Sequence, residues 1–356
     1  MKKVFYILAA TLTSSFSFAQ EDDKPTSPAT TWGGSADAYY KYDFSKQMNG
    51  LTSFTNSQDS FELGMASIEA GHTFGKASVF VDLGFGKRAG EFSYNETTDK
   101  DINAKFLIKQ LYFTYQITDE FKVVAGSFGT HIGYEVLDAV DNKNYSMSYA
   151  FSYGPFFNTG VKAQYTSGKF TAMFGITNPT DFKSAMDAGS TQKTYIGQVG
   201  YIGETGSAYL NFTSGSSNPA SDENKTQFDL TASKTISDSF GLGLNATYAK
   251  TKNDFDTTLD GEWFSLVGYA NYSFSPSLLL AYRVEYFDAK DAAPSLGTLT
   301  GSSVFANTVS LNYKVGKLTI IPELRYDAAS EDIFLDSDAA PTGGSFFALL
   351  ATTYSF

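Results

Sequence analysis

Cysteine is absent from all 356 residues, so neither a disulfide framework nor a lipid-bearing cysteine behind an export signal is available. Histidine is nearly absent: His72 and His131 are the two in the chain, and any histidine-dependent hydrolase chemistry would have to use one of them. No stretch after the N-terminus approaches the ~18 consecutive apolar residues that a membrane helix needs, which excludes a helical membrane protein. Proline is sparse at 9, and no Pro- or Ser-rich linker divides the chain from Thr31 to Phe356. Clustered basic residues are lacking too. The formal net charge of −12 falls to −14 if Lys2 and Lys3 leave with an export signal, and such a chain is a poor nucleic-acid binder.

What is present is aromatic and glycine-rich: 32 Phe, 23 Tyr and 31 Gly, a mix that suits many strands. The N-terminus reads as an export address. Lys2 and Lys3 precede a short apolar run, Val4 to Leu12, and Ser17-Phe18-Ala19 supplies small residues at the −3 and −1 positions of a cleavage site. The expectation is a signal peptide over 1–19, then a polar, flexible leader over 20–32 containing Pro25 and Pro28.

From residue 33 the periodicity is two. In Ser35–Phe44 the set Ala36, Ala38, Tyr40, Tyr42, Phe44 alternates with Ser35, Asp37, Tyr39, Lys41, Asp43. One face can then meet lipid while the other stays wet. Sixteen such strands are expected, near 33–44, 61–74, 77–87, 104–117, 121–129, 156–167, 169–177, 193–204, 206–214, 226–236, 239–250, 262–275, 277–288, 303–315, 317–327 and 345–356. Tight turns such as Phe74-Gly75-Lys76, Ser167-Gly168-Lys169 and Val315-Gly316-Lys317 alternate without a break with long polar segments. A transmembrane antiparallel up-and-down β-barrel sorts its connections this way, with short periplasmic turns and long extracellular loops. A soluble sandwich has no reason to. The fold class expected is therefore all-β, a barrel over 33–356 of about sixteen strands. Fourteen or eighteen would leave the function unchanged. The last strand puts Phe346, Ala348, Leu350, Thr352, Tyr354 and Phe356 on one face, and its terminal aromatic resembles the signal read by outer-membrane assembly machinery. Outward aromatics near strand ends, among them Phe44, Phe74, Tyr165, Tyr201, Tyr248, Tyr272, Phe274 and Tyr286, suit a headgroup belt.

The third long segment, 130–155, is the longest connection and too aromatic for a solvated loop, so it should pack against something, the barrel interior or the rim. Tyr134, Glu135, Asp138, Asp141, Lys143 and Tyr145 are its constriction candidates. On the polar strand faces Asp37, Lys41, Asp43, Glu69, Asp82, Lys162, Asp229, Arg283, Glu285, Lys314, Glu323 and Arg325 are candidates to line a pore and tune its ion selectivity. Arg283, Glu285, Glu323 and Arg325 fall on two strands separated by one other, which suggests a local charged patch. Tyr39, Phe80, Tyr112, Tyr209 and Tyr269 are lumen aromatics that would favour a selective channel. The final loop groups Asp327, Glu331, Asp332, Asp336 and Asp338, but their spacing matches no calcium-binding loop, and no metal or other cofactor is expected. Gly84-Phe85-Gly86-Lys87-Arg88-Ala89-Gly90 has the wrong last spacing for a dinucleotide loop, and its glycines read as strand positions near a rim. No nucleophile–base arrangement emerges, so the chain is not read as an enzyme.

The run Gly133-Tyr134-Glu135, the segment Asn144-Tyr145-Ser146-Met147-Ser148-Tyr149 and the run Gly154-Pro155-Phe156-Phe157-Asn158-Thr159-Gly160-Val161 resemble the outer-membrane β-barrel porins of the OmpL-like type. That resemblance covers the mature chain in length and strand rhythm, with its motifs confined to about 130–165. It implies a pore in the outer membrane of a Gram-negative cell. The family often carries arginine where this chain has Met147, so no selectivity role is carried over to that position. The expected function is passive diffusion of small hydrophilic solutes or ions through a water-filled barrel. The alternatives are a substrate-specific channel for sugars or anions, and a closed adhesin or structural barrel. Expected partners are outer-membrane lipid, the diffusing solutes, the assembly machinery through Phe356 and, by analogy with porins of this width, further copies of the chain.

Overall fold

The computed structural model describes residues 28–93, 108–184, 192–216 and 223–356. The expected signal over 1–19 and the first part of the leader lie outside the described residues. Sixteen strands pair antiparallel, each with its neighbours in sequence, and close into one barrel. They are β1 (Ala29–Asp43), β2 (Ser60–Phe74), β3 (Ala77–Phe85), β4 (Ile108–Gln116), β5 (Phe121–Gly129) and β6 (Phe157–Ser167). Next come β7 (Phe170–Thr177), β8 (Thr194–Ile202), β9 (Gly206–Ser216), β10 (Glu223–Thr235) and β11 (Phe240–Asn253). The remainder are β12 (Gly261–Ser275), β13 (Leu278–Asp288), β14 (Ser303–Val315), β15 (Leu318–Ala329) and β18 (Gly344–Ser355). A small hairpin, β16 (Phe334–Leu335) with β17 (Pro341–Thr342), sits in the last long connection and stays out of the barrel.

Closure joins the first strand to the last, in a register running from Ser35↔Ser355 to Asp43↔Phe347. All sixteen expected strands are present. The first begins earlier than the alternation suggests: Ala29–Trp32, the end of the expected leader, pair with Ala70–Thr73 of β2. Their own side chains, mostly small and polar, carry no period-two signal; the partner strand recruits them.

Burial is inverted relative to a soluble domain. Phe113 and Phe170 are 60% and 67% exposed on the outer face, whereas Arg283 and Arg325 are each 1% exposed on the inner one. An outer surface of this kind is suited to hydrocarbon. No helix among the described residues is long and apolar enough to cross a membrane; the crossing is made by strands. Seven of the eight expected headgroup aromatics are exposed, and Tyr286 is half-buried.

Two local irregularities re-aim side chains into the barrel. The β1–β2 register slips between Ala36 and Ala38, and the slip opens a notch at Gly64. A Cβ there would overlap the Asp37 carboxylate, so only glycine leaves room for it. Between Asp82 and Leu83 the β3–β4 register shifts, making Lys109 an extra residue between Ile108 and Gln110. The extra residue turns Lys109 inward, where it is 1% exposed. One expectation needs correcting: the segment after Gly86 is no strand, because α1 (Lys87–Phe92) follows a glycine at φ 110°. This short helix delivers Arg88 and Phe92 into the interior, both buried.

Candidate functional site

The connection from Thr130 to Phe156 runs through the barrel interior. Tyr134 stacks on Tyr269 of β12 with ring centroids 4.3 Å apart, while Asp138 accepts from Lys109 Nζ of β4 at 2.8 Å. Those two strands stand on opposite sides of the closed order, so the chain crosses from wall to wall.

What holds the crossing is a set of carboxylates that accept backbone N–H groups. Glu323 takes Tyr145 N at 2.7 Å and Ser146 N at 3.1 Å. Glu285 takes Tyr149 N and Ala150 N, each at 2.8 Å. Those amides open the single turn α2 (Tyr149–Ser152), whose own N-cap Ser148 accepts from Phe151 N at 3.0 Å. Asp229 takes Gly133 N at 3.0 Å, and Asp181, beyond β7, takes Phe156 N and Phe157 N at 2.7 and 2.9 Å. Within the loop, Glu135 takes Ser148 N at 2.8 Å. A loop has no ladder partner for its amides, and buried amides must find acceptors; here the wall and the loop supply them as charged side chains.

Arginines secure the carbonyls of the same stretch. Arg283 Nη1 donates to Glu135 Oε1 at 2.5 Å and to Ser146 O at 2.6 Å. Arg325 donates from Nε to Asp327 at 2.7 Å and from Nη1 to Met147 O at 2.7 Å. The Tyr149 hydroxyl also donates to Asp327, at 2.8 Å. Across the strands Arg283 and Arg325 each pair in register with Thr308, so the two guanidinium groups stand in one row. Arg283, Glu285, Glu323 and Arg325 thus share the inner face of β13 and β15, where they bind loop 130–156 and Asp327 in preference to one another.

The near side is held through β1. The Tyr145 hydroxyl donates to Asp37 Oδ2 at 2.5 Å, and Arg88 stands 3.9 Å from the same carboxylate and 5.2 Å from the Tyr145 ring. Burial and the neighbouring Asp37 charge both push the Tyr145 hydroxyl up, so it stays protonated as a donor. Gly64→Ala removes the space that Asp37 occupies, and the expected result is a folded barrel destabilised by about 1–3 kcal/mol. Urea unfolding in detergent micelles checks this, and an unchanged midpoint would show that the notch is dispensable.

Apolar packing completes the plug. Phe54, Phe92, Met147, Phe151, Phe156 and Phe157 form one cluster between the first long connection, α1 and the third. The Met147 side chain, where the resembled family often has arginine, is buried in it. A second cluster joins Tyr149 to Trp263, Phe287, Leu299 and Val304.

Of the other candidates, Lys41 donates to Thr55 O at 2.9 Å, and Asp43 caps Ser45 and accepts from Ser345, so both are buried. Asp82 pairs with Lys109 at 2.9 Å. Asp141 is exposed within the lumen, and Lys143, Lys162, Glu69 and Tyr134 are half-buried. Burial and the nearby Asp138 charge raise Asp141, while burial and the Lys314 ammonium lower Lys143. Among the lumen aromatics, Tyr39, Phe80 and Tyr269 are buried and Tyr112 and Tyr209 half-buried. Asp327, foremost of the acidic last loop, is taken by Arg325 and Tyr149; no group of three metal-ligating side chains occurs among the described residues. His131 is buried with Nε2 on Phe212 O at 2.9 Å, and burial lowers it to about 4, so it stays neutral at ordinary pH. Lys109 and Arg88 are not among the site candidates that the sequence offers. Lys109 sits where a bulge breaks the alternation, and Arg88 in a segment with no periodicity.

Over residues 29–356 the chain matches the family described as "Putative beta-barrel porin-2, OmpL-like". No curated protein matches the chain. Among solved structures, the outer-membrane OmpT of Vibrio cholerae superposes with a TM-score of 0.60 at 12% identity, covering 95% of this chain and 99% of that one. The outer membrane channel DcaP of Acinetobacter baumannii gives 0.57 at 12% identity, covering 93% and 98%. A mutant porin of Rh. blastica gives 0.52 at 11% identity, covering 92% and 100%.

Proposed function

This chain belongs to the OmpL-like β-barrel porin family and resides in the outer membrane, and from that premise we propose that it is a passive channel for small hydrophilic solutes and ions. The observation that carries the proposal is the clamped crossing of residues 133–150. It is fastened to β1, β2, β4 and β10 to β15, whereas the inward face of β5 to β8 keeps Lys122, Lys162, Gln164 and Gln198 half-buried. A polar passage beside a fixed constriction needs no cofactor and no energy input, and its charge pattern sets which ions pass.

The competing reading is a closed structural barrel, favoured by the aromatic clusters that fill the interior near the long-loop rim. Conductance of the refolded barrel in a planar bilayer separates the two. Stable ohmic steps are expected; barrels that insert but carry no current would replace the channel by the closed form.

Two partner assignments accompany the channel reading. The Vibrio cholerae OmpT has a trimer form, and the same assembly suits this barrel. Phe356 lies against β1, with its N–H donating to Gly34 O at 3.0 Å, and its exposed ring is the handle for assembly machinery.

A further inference from the structure

Every buried cation of the plug has its acceptor: Lys41 a carbonyl, Arg88 Asp37, Lys109 Asp82 and Asp138, Arg283 Glu135, Arg325 Asp327. One part of the wall breaks that rule. Lys122 of β5 and Lys162 of β6 face inward as diagonal neighbours, through the pairs Lys122↔Gln164 and Val124↔Lys162. Among the described residues neither ammonium has an ion pair or a hydrogen bond, and Lys162 Nζ lies over the Phe128 ring, 4.0 Å from its centroid. Gln164, directly opposite Lys122 and two residues along β6 from Lys162, likewise has its amide unengaged. Gln198 follows two strands further on in that row and spends one N–H on Asn211 at 2.7 Å. Directly across from Lys162 stand Val124 and Gly175, and Val124 belongs to an apolar cluster with Phe128, Met173 and Ile196, so no polar side chain stands opposite the lysine.

Two half-buried positive charges side by side repel, and partial desolvation adds to their cost unless a counter-charge is present. Loop 130–156 provides none at this place, although it provides one for Lys109 and one for Arg283. Among the described residues no carboxylate supplies the counter-charge, which leaves solution as its source. We propose that Lys122, Lys162 and Gln164 form a binding station for a small oxyanion, a carboxylate or phosphate group, on the free side of the lumen. Its donors match the acceptor-rich edge of such a group. The station rests on the channel reading, since an anion must reach it through water.

Inorganic phosphate is the probe. In planar bilayers with a chloride background, wild-type current is expected to fall saturably as phosphate is added. K122Q/K162Q is expected to need roughly tenfold more phosphate for the same effect, each lost charge-assisted contact weakening binding. K314Q, which removes a lumen lysine at the other side of the barrel near the short turns, is expected to keep the wild-type response. Equal loss in K314Q would mean a diffuse lumen field and would overturn the station, as would an unchanged K122Q/K162Q. Phosphate binding to the micelle-solubilised barrel, read by phosphorus NMR line broadening, keeps the two readings apart. No current with broadening that K122Q/K162Q abolishes would sink the channel and keep the station. Current without such broadening would do the reverse.

Discussion

Replacing both Glu285 and Glu323 by alanine will loosen residues 145–150 on the wall, and single-channel steps will become larger and noisier. The two carboxylates hold four consecutive-stretch amides, those of Tyr145, Ser146, Tyr149 and Ala150, and also accept from Ser265 and Ser310. Hydrogen bonds to charged groups contribute about 1.5–3 kcal/mol each, so losing the four amide bonds removes on the order of 6–12 kcal/mol of gross attachment. The remaining anchors, Tyr145 on Asp37, Arg283 and Arg325 on the Ser146 and Met147 carbonyls and Tyr149 on Asp327, keep the stretch tethered but let it fluctuate. The barrel itself keeps its ladders, so a heat-shifted gel band should confirm that the variant is folded. Conductance and noise identical to wild type in a folded variant would show that residues 145–150 do not narrow the current path.

Arg325→Ala will cost about 3–5 kcal/mol, because it leaves Asp327 buried without its cation. The same change also strips Met147 O of its donor. Removing both charges together, as R325L with D327L, should cost far less than the single change, since the pair's attraction is then lost along with its desolvation penalty. Urea unfolding of the single and double variants in detergent gives the comparison. A cost below about 1 kcal/mol for Arg325→Ala would mean water reaches Asp327 freely, as at an exposed pair, and the plug would have to be looser than its contacts indicate.

The barrel was legible at the level of residues. Ala36, Ala38, Tyr40, Tyr42 and Phe44 read as an outer face from alternation alone, and Arg283, Glu285, Glu323 and Arg325 read as an inner cluster from their parity on β13 and β15. Their partners were not legible. Glu135 meets Arg283 across 148 residues and Tyr149 meets Asp327 across 178, separations at which spacing carries no information. Lys109 escaped because parity fails at a bulge, and Ala29–Trp32 because a strand end can be recruited by its neighbour with no pattern of its own.

What the sequence by itself determined is therefore whatever depends on local period: sixteen strands, which face meets lipid, and the alternation of tight turns with long connections. Period two follows from the pleat, and every strand carries it independently. Only the tertiary structure decided which carboxylate receives which loop amide, and that Lys122 and Lys162 find no counter-charge among the described residues while Lys109 and Arg283 do. A loop without period takes its conformation from the wall it lands on. That landing is selected by the sum of many buried polar contacts brought together by closure, and no short stretch of the chain contains that sum.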